Sequence, residues 1–377
     1  MKTIAPLAFI AAWLLACGST QAQKPPATPT ANNAWTSWIP MQNGYYDPAR
    51  RAWAIPPTPT LRPDDERHPF APNGLALARQ GKKYGYIDTQ GKWKIKPQFD
   101  SATSFNAENL ALTLKNKKYT YISPQGKNAF KTTFAQALEF SPDTKTTPVA
   151  DQNNIWGFID LHGKWQIKPQ FTQARPFSAQ QLAAARNTQG KWGYINTQGD
   201  WAIAATFDQA SDFDPQHHLA AASQNGKWGY LDTKGNWAIA PQFEQAHVFA
   251  ANGLARARQN GKWGYLNTFG RWVIPVHFDE TEDFDANGLA AVRQNGRSGY
   301  INERNEWVIA AQFAQAWNFN PQGWARVLQE SSHLPAIINT RGEWILRQEI
   351  ICKRTVIKDA TDEIIWPAKF KEDCRQK

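Results

Sequence analysis

The chain writes nearly the same sentence several times. GKWGYINTQGDWAIAATFD at residues 190–208 returns thirty-six residues later as GKWGYLDTKGNWAIAPQFE, and then as GKWGYLNTFGRWVIPVHFD. With the Gly of Trp-Gly-Tyr as marker, copies sit at Gly85, Gly157, Gly193, Gly229, Gly264 and Gly299. Thr120 and Ala336 hold the same slot in degenerate copies, and Gly44 heads a divergent first one. From Gly85 onward successive markers are 35 to 37 residues apart. A fixed period of this size means one supersecondary unit stacked on its neighbours, because a single unit cannot bury its own apolar face.

Each unit reads as three β-strands. In the copy around Gly264, Leu254 to Arg258 alternates small and large residues, and Asn260-Gly261 follows. Asn-Gly is a strong two-residue hairpin signal, since both central positions of that turn need φ > 0. Trp263 to Leu266 is the second strand, Thr268-Phe269-Gly270 a second turn, and Trp272 to Ile274 the third strand, ended by Pro275. Helical periodicity is absent. The Ala255 slot holds Ala76, Ala111, Ala183, Ala220, Ala290 and Ala325 in other copies, so a neighbouring strand or sheet approaches closely there. Gly264 is expected to leave room for a neighbouring aromatic across the backbone, and a Trp at a fixed slot is expected in the core.

The pattern Gly-Lys-Trp-Gly-Tyr-Ile-Asn/Asp-x-x-Gly-x-Trp-x-Ile-x-Pro-x-Phe-Asp resembles the bacterial WG-repeat family, densely over residues 75 to 345. The resemblance implies an all-β repeat module, common in secreted and surface proteins, with no general enzymatic activity. The expected fold is an array of about eight to nine three-stranded repeats forming a curved stack. A closed, propeller-like ring is the alternative geometry.

Outside the repeat, the chain divides by composition. MKTIAPLAFIAAWLLACGSTQAQ has a basic start and an apolar run too short to span a bilayer, as in a secretory signal over 1–22. Leu14-Leu15-Ala16-Cys17 resembles a lipobox, which makes Cys17 a lipidation site; cleavage after Ala22 is the other reading. A Pro-bearing tether over 23–43 leads into the first repeat at 44–74, which a Pro-rich stretch interrupts. The array proper spans 75–349, and 350–377 is expected to cap one end. With Cys17 acylated or removed, Cys352 and Cys374 remain as a candidate disulfide in an oxidising compartment, worth roughly 3 kcal/mol. These features place the protein in a bacterial cell envelope, as an outer-membrane lipoprotein or a periplasmic or secreted protein, with a lipid anchor on the membrane.

No catalytic set emerges. The seven His scatter over different repeat slots, and no nucleophile, phosphate-loop or dinucleotide motif is present. Asp283-Phe284-Asp285-Ala286-Asn287-Gly288 opens like a Ca²⁺ loop, but Gln294 stands where the bidentate Glu belongs, so turn chemistry is the reading. No enzyme activity, metal or cofactor is expected. A net charge of +10 favours anionic partners, and nucleic acid is not expected outside the cytoplasm. Arg79, Arg186, Arg258 and Arg293 share one slot, with Arg256 and Arg326 two residues nearer the strand start. Period 2 puts them opposite the small Ala face, where they could line up as a stripe. The functional expectation is a binding or scaffold module for an envelope or host protein. The alternative is recognition of an anionic glycan or lipid headgroup by that stripe.

Overall fold

The computed structural model describes residues 34–41, 44–57, 70–367 and 370. The signal segment, Cys17, Cys374, most of the tether and residues 58–69 of the Pro-rich insertion lie outside these residues. Apart from one 3-10 turn at Ala34–Ser37, every regular element among the described residues is a β-strand. All strand pairings are antiparallel, within small three- or four-stranded sheets and one longer C-terminal sheet. Units 1 to 9 are named here by their markers Gly44, Gly85, Thr120, Gly157, Gly193, Gly229, Gly264, Gly299 and Ala336.

Unit 7 shows the plan. Its first strand is Leu254–Gln259, its second Lys262–Asn267 and its third Trp272–Phe278. The three expected strands are joined by a fourth of two residues, Gln245–Ala246, which pairs with the first strand at the other edge of the sheet. Asn260 and Gly261 both have positive φ, 53° and 76°, as the hairpin signal required.

The Gly of Trp-Gly-Tyr has a different reason from the one expected. Between Trp263↔Phe278 and Tyr265↔Ile274 the third strand spends two more residues than the second. This bulge folds strand backbone over Gly264. A Cβ there would lie 2.6 Å from the Ile274 carbonyl oxygen and 2.9 Å from the Pro275 carbonyl carbon. The close neighbour is main chain rather than an aromatic ring. Where the slot is not Gly, the bulge is altered. Around Thr120 the third strand persists only as the bridges Tyr119↔Phe134 and Ile122↔Asn128. At Ala336 it runs straight past, with Ala336↔Arg347 and Ile337↔Leu346 directly paired.

Units stack through a repeated joint. The Ala slot is buried in every copy that has it, at 0–1% exposure from Ala76 to Ala325. Against it packs the Tyr, Ile and Phe face of the preceding unit: Tyr230, Ile239, Phe243 and Phe249 form one cluster with Ala255, Ala257 and Leu266. Six of the joints are also fixed by a directional bond, since the Tyr hydroxyl donates to a backbone carbonyl seventeen residues on. The pairs are Tyr86–Thr103, Tyr121–Leu138, Tyr194–Ser211, Tyr230–His247, Tyr265–Glu282 and Tyr300–Trp317. These tyrosines, and not the Trp residues, are the largest fully buried side chains of the repeat.

The stack curves until its ends meet. Ile39, Met41 and Tyr46 of unit 1 pack on Trp324, Ile337, Leu346 and Ile357 in the same manner as any other neighbouring pair. Of the two geometries open to the sequence, these contacts select the closed ring. The C-terminal segment seals the joint rather than capping a free end. Trp344–Ile351, the third strand of unit 9, pairs on its other edge with Arg354–Asp359 from Leu346↔Asp359 to Ile351↔Arg354. It thereby serves also as the first strand of a truncated tenth copy, completed by Ile364–Trp366. From this copy the Ile365 carbonyl accepts Trp53 Nε1–H at 3.0 Å, and Asp359 pairs with Arg51 at 2.8 Å. Cys352, in the turn before Arg354, is disulfide-bonded.

Candidate binding surface

The arginines singled out in the sequence do share one strand face, but they do not form an open stripe. Arg186 Nε donates to the Gly190 carbonyl at 2.9 Å. Arg258 lies 3.8 Å from Glu244, and Arg293 3.6 Å from Glu280, each carboxylate coming from the segment beside the first strand. Arg256 is the most enclosed, with Nε 2.9 Å from Asp283 and Nη1 3.4 Å from Glu282, while it donates to the Thr281 carbonyl. Its guanidinium also lies over Trp263, 5.9 Å from the ring centroid, and Arg326 lies 5.0 Å from that of Trp317. Arg79 is half-buried across from Tyr84. These groups are engaged within their own or the adjoining unit.

Arg256, through Asp283, reaches a polar belt that the sequence reading missed. It lies just before the Phe of the loop leading into each first strand. Its members include Glu139, Arg175, Asp212, His247, Asp283 and Asn318. Neighbouring loops meet here: the Glu139 carboxyl is hydrogen-bonded by Thr103, Arg175 acts on Asp212, and Asn318 Nδ2 donates to the Asp283 carbonyl at 2.6 Å. Burial pushes Glu139 and Asp212 above the usual carboxylate range, although Thr103 and Arg175 oppose it. Burial, with Arg256 alongside, drives His247 down to about 4, against the pull of Asp283. Glu139 is nonetheless open to water, and Asp212 and His247 are partly so. The signal available in the sequence was a charged or polar residue one or two places before each unit's loop Phe.

Two of the belt's three acids are charge-compensated, Asp212 by Arg175 of the neighbouring loop and Asp283 by Arg256 of the first strand, whereas Glu139 is held by Thr103. Among the described residues no group of three or more His, Cys, Asp or Glu could hold a metal. Asp285, the Ca²⁺-like position, accepts the backbone N–H of Asn287, Leu289 and Phe319, so it ties its own loop to the next unit. His217 sits 3.0 Å from Asp214, whose oxygens also accept three backbone N–H groups of the same loop. That is a loop cap.

The second Trp of each unit is on the rim and not in the core as expected. Trp165, Trp201 and Trp307 are 37%, 40% and 39% exposed. Each stands edge-on to the Phe that ends the preceding unit's third strand, as in Phe207–Trp237 at 5.6 Å and 88°. One indole face covers the joint and the other meets solvent.

A family model described as WG containing repeat matches residues 84–119, 156–191, 192–228, 228–263, 263–297 and 299–331. No curated protein matches the chain. Among solved structures, the crystal structure of a eukaryotic initiation factor is similar at 11% identity, covering 77% of this chain and 94% of its own, with a TM-score of 0.52. Sqt1 of Saccharomyces cerevisiae is 12% identical over 80% of this chain and 98% of its own, with a TM-score of 0.44. The computationally designed protein Ika8 is 5% identical over 71% and 93%, with a TM-score of 0.47. At these identities the likeness to the initiation factor is one of fold alone.

Proposed function

The chain belongs to the WG-repeat family, and from that premise we propose that it is a non-catalytic binding or scaffold protein of the cell envelope, working through the rim of its ring. One observation carries this reading. The residues that build the joints stay nearly constant from unit to unit, while the exposed positions of the third strand vary among units, from charged to polar to apolar. Ile239, Ile274 and Ile309 are buried in their shared slot, whereas the neighbouring exposed slot holds Lys94, Gln166, Ala202, Val273 and Val308. A scaffold that must stay rigid while presenting different chemistry around its edge has this distribution. The belt supports the same reading, since two of its three acids are charge-compensated instead of converging on a reacting atom. The signal-like segment at 1–22, with its lipobox-like Cys17, supports the envelope part of this reading.

The test is capture of partners from native envelopes by the full chain, with identification by mass spectrometry. A defined protein retained at stoichiometric level, with no turnover of co-purified small molecules, is the expected result. Substrate conversion abolished by changing belt residues would overturn the non-catalytic reading.

A further inference from the structure

Most of the net positive charge of this protein, +7 of +10, lies in one arc of the ring. Residues 75–170, units 2 to 4, carry 14 Lys and Arg against 7 Asp and Glu, whereas residues 171–370 carry 19 of each. Within the arc the charge is ordered. Lys92, Lys127 and Lys164 hold one repeat slot in three consecutive units, and Lys96, Lys131 and Lys168 hold another four residues on. All six are exposed, and none is ion-paired among the described residues. From unit 5 both rows stop: the slots become Asp200 and Ala204, Asn236 and Ala240, Arg271 and Pro275, then Glu306 and Ala310. Stability does not require the lysines, because the same joints form in units 5 to 8 without them.

We propose that these two lysine rows bind a linear acidic polysaccharide laid along the rim. In units 2 and 4 the extended third strands starting at Trp93 and Trp165 set the rows roughly 13 Å apart, and in unit 3 Lys127 and Lys131 flank the bridge at Asn128. The rows follow the curvature of a closed ring, so units 2 and 4 face directions about 80° apart. A flexible chain can follow that arc, whereas a flat bilayer meets only part of it. Ammonium groups on long stems suit carboxylates or sulfates of variable position, and no planar fork such as Arg supplies is present in either row. Between the rows stand Trp93 and Trp165, the latter 37% exposed, which offer apolar faces to sugar rings. This proposal rests on the envelope reading above and specifies a ligand for it.

The test measures binding of the full chain to polygalacturonate as a function of salt, beside neutral dextran, poly(dT) and phosphatidylglycerol vesicles. The row variant carries Lys96→Gln, Lys131→Gln and Lys168→Gln. A control carries Lys227→Gln, Lys234→Gln and Arg304→Gln, three exposed cations outside the arc. The expected result is binding to polygalacturonate and not to dextran. It should weaken about tenfold in the row variant at low salt, with a slope of log K against log salt shallower by roughly two, and stay unchanged in the control. Equal binding by wild type and row variant would overturn the proposal, as would tighter retention of poly(dT) or vesicles through the same lysines. A chain that ignores the polymer but still captures a defined envelope protein would sink the lysine rows and leave the scaffold reading standing.

Discussion

Gly229→Ala separates two accounts of the repeated Trp-Gly-Tyr. Gly229 has no positive φ, so backbone freedom gives no reason for glycine there. On propensity alone, Ala in a strand should stabilise by about 0.4–1 kcal/mol through the unfolded chain. The fold argues the opposite sign. A Cβ on Gly229 would meet the Ile239 carbonyl oxygen at 2.4 Å, Pro241 N at 2.7 Å and the Ala240 carbonyl carbon at 2.8 Å. All three are main-chain atoms held by the third strand's own pairing, so no side chain can swing away. Overpacking against fixed backbone costs about 1–3 kcal/mol, and the upper part of that range applies here. For a chain of this length the melting temperature should fall by about 3–4 °C, as read by calorimetry beside the urea midpoint. Ala336→Gly is the companion, because the third strand there runs straight and tolerates a Cβ. Its cost should be the ~0.5–1 kcal/mol of an added strand glycine, plus roughly 0.8 kcal/mol for the methyl withdrawn from the joint, where Ala336 is buried. A Gly229→Ala protein as stable as wild type, or more so, would refute the bulge argument.

Further outcomes follow from the joints. Tyr230→Phe strands the His247 carbonyl that its hydroxyl reaches at 2.8 Å, and should cost about 1–2 kcal/mol in urea denaturation. The same change is already present at Phe158, whose joint lacks the bond. Arg51→Ala should loosen the ring at its seam, seen as faster amide exchange in Arg354–Asp359. Burial pushes the Asp359 carboxyl up, but bonds from Arg51 and Thr361 outweigh it and hold its pKa below 3.8. The stability it contributes is therefore present above that value and lost as pH falls through the lowered one. His247, held near 4 instead of 6.5, titrates over a higher window. The unfolded chain binds the extra proton first, so stability should decline as pH falls from 6.5 towards 4, by at most ~3 kcal/mol. Arg256→Leu should raise the His247 pKa in an NMR titration, since it removes the neighbouring cation; an unmoved His247 would refute that coupling.

Much of the architecture was legible because the chain performs its own comparison. Three strands per unit, the Asn-Gly turn at Asn260-Gly261 and the close approach at Ala255 all follow from what stays constant between copies. The core aromatic was misread because Trp and Tyr recur equally well. Only the joint decides that Tyr265 is enclosed while Trp307 faces water. The Arg positions were legible as a face but not as a surface, since Glu244, Glu280 and Asp283 reach them from other segments. The lysine rows were present in the same repeat slots. Their exposure was not legible there, because the stacking of units decides which face of the third strand reaches solvent.

What the sequence determined by itself is the unit: its period, its strands and the small residues at which neighbours meet. These are local consequences of side-chain size, alternation and turn chemistry. What only the tertiary structure decided is how the units end. Closure depends on the small rotation between neighbours accumulated over nine joints, and no single copy encodes that sum. The same closure turned the C-terminal residues from an expected cap into a shared strand and a tenth half-copy. Once Trp344–Ile351 ran straight past Ala336, its free edge could pair with Arg354–Asp359 and bring Asp359 to Arg51 at the far end of the chain.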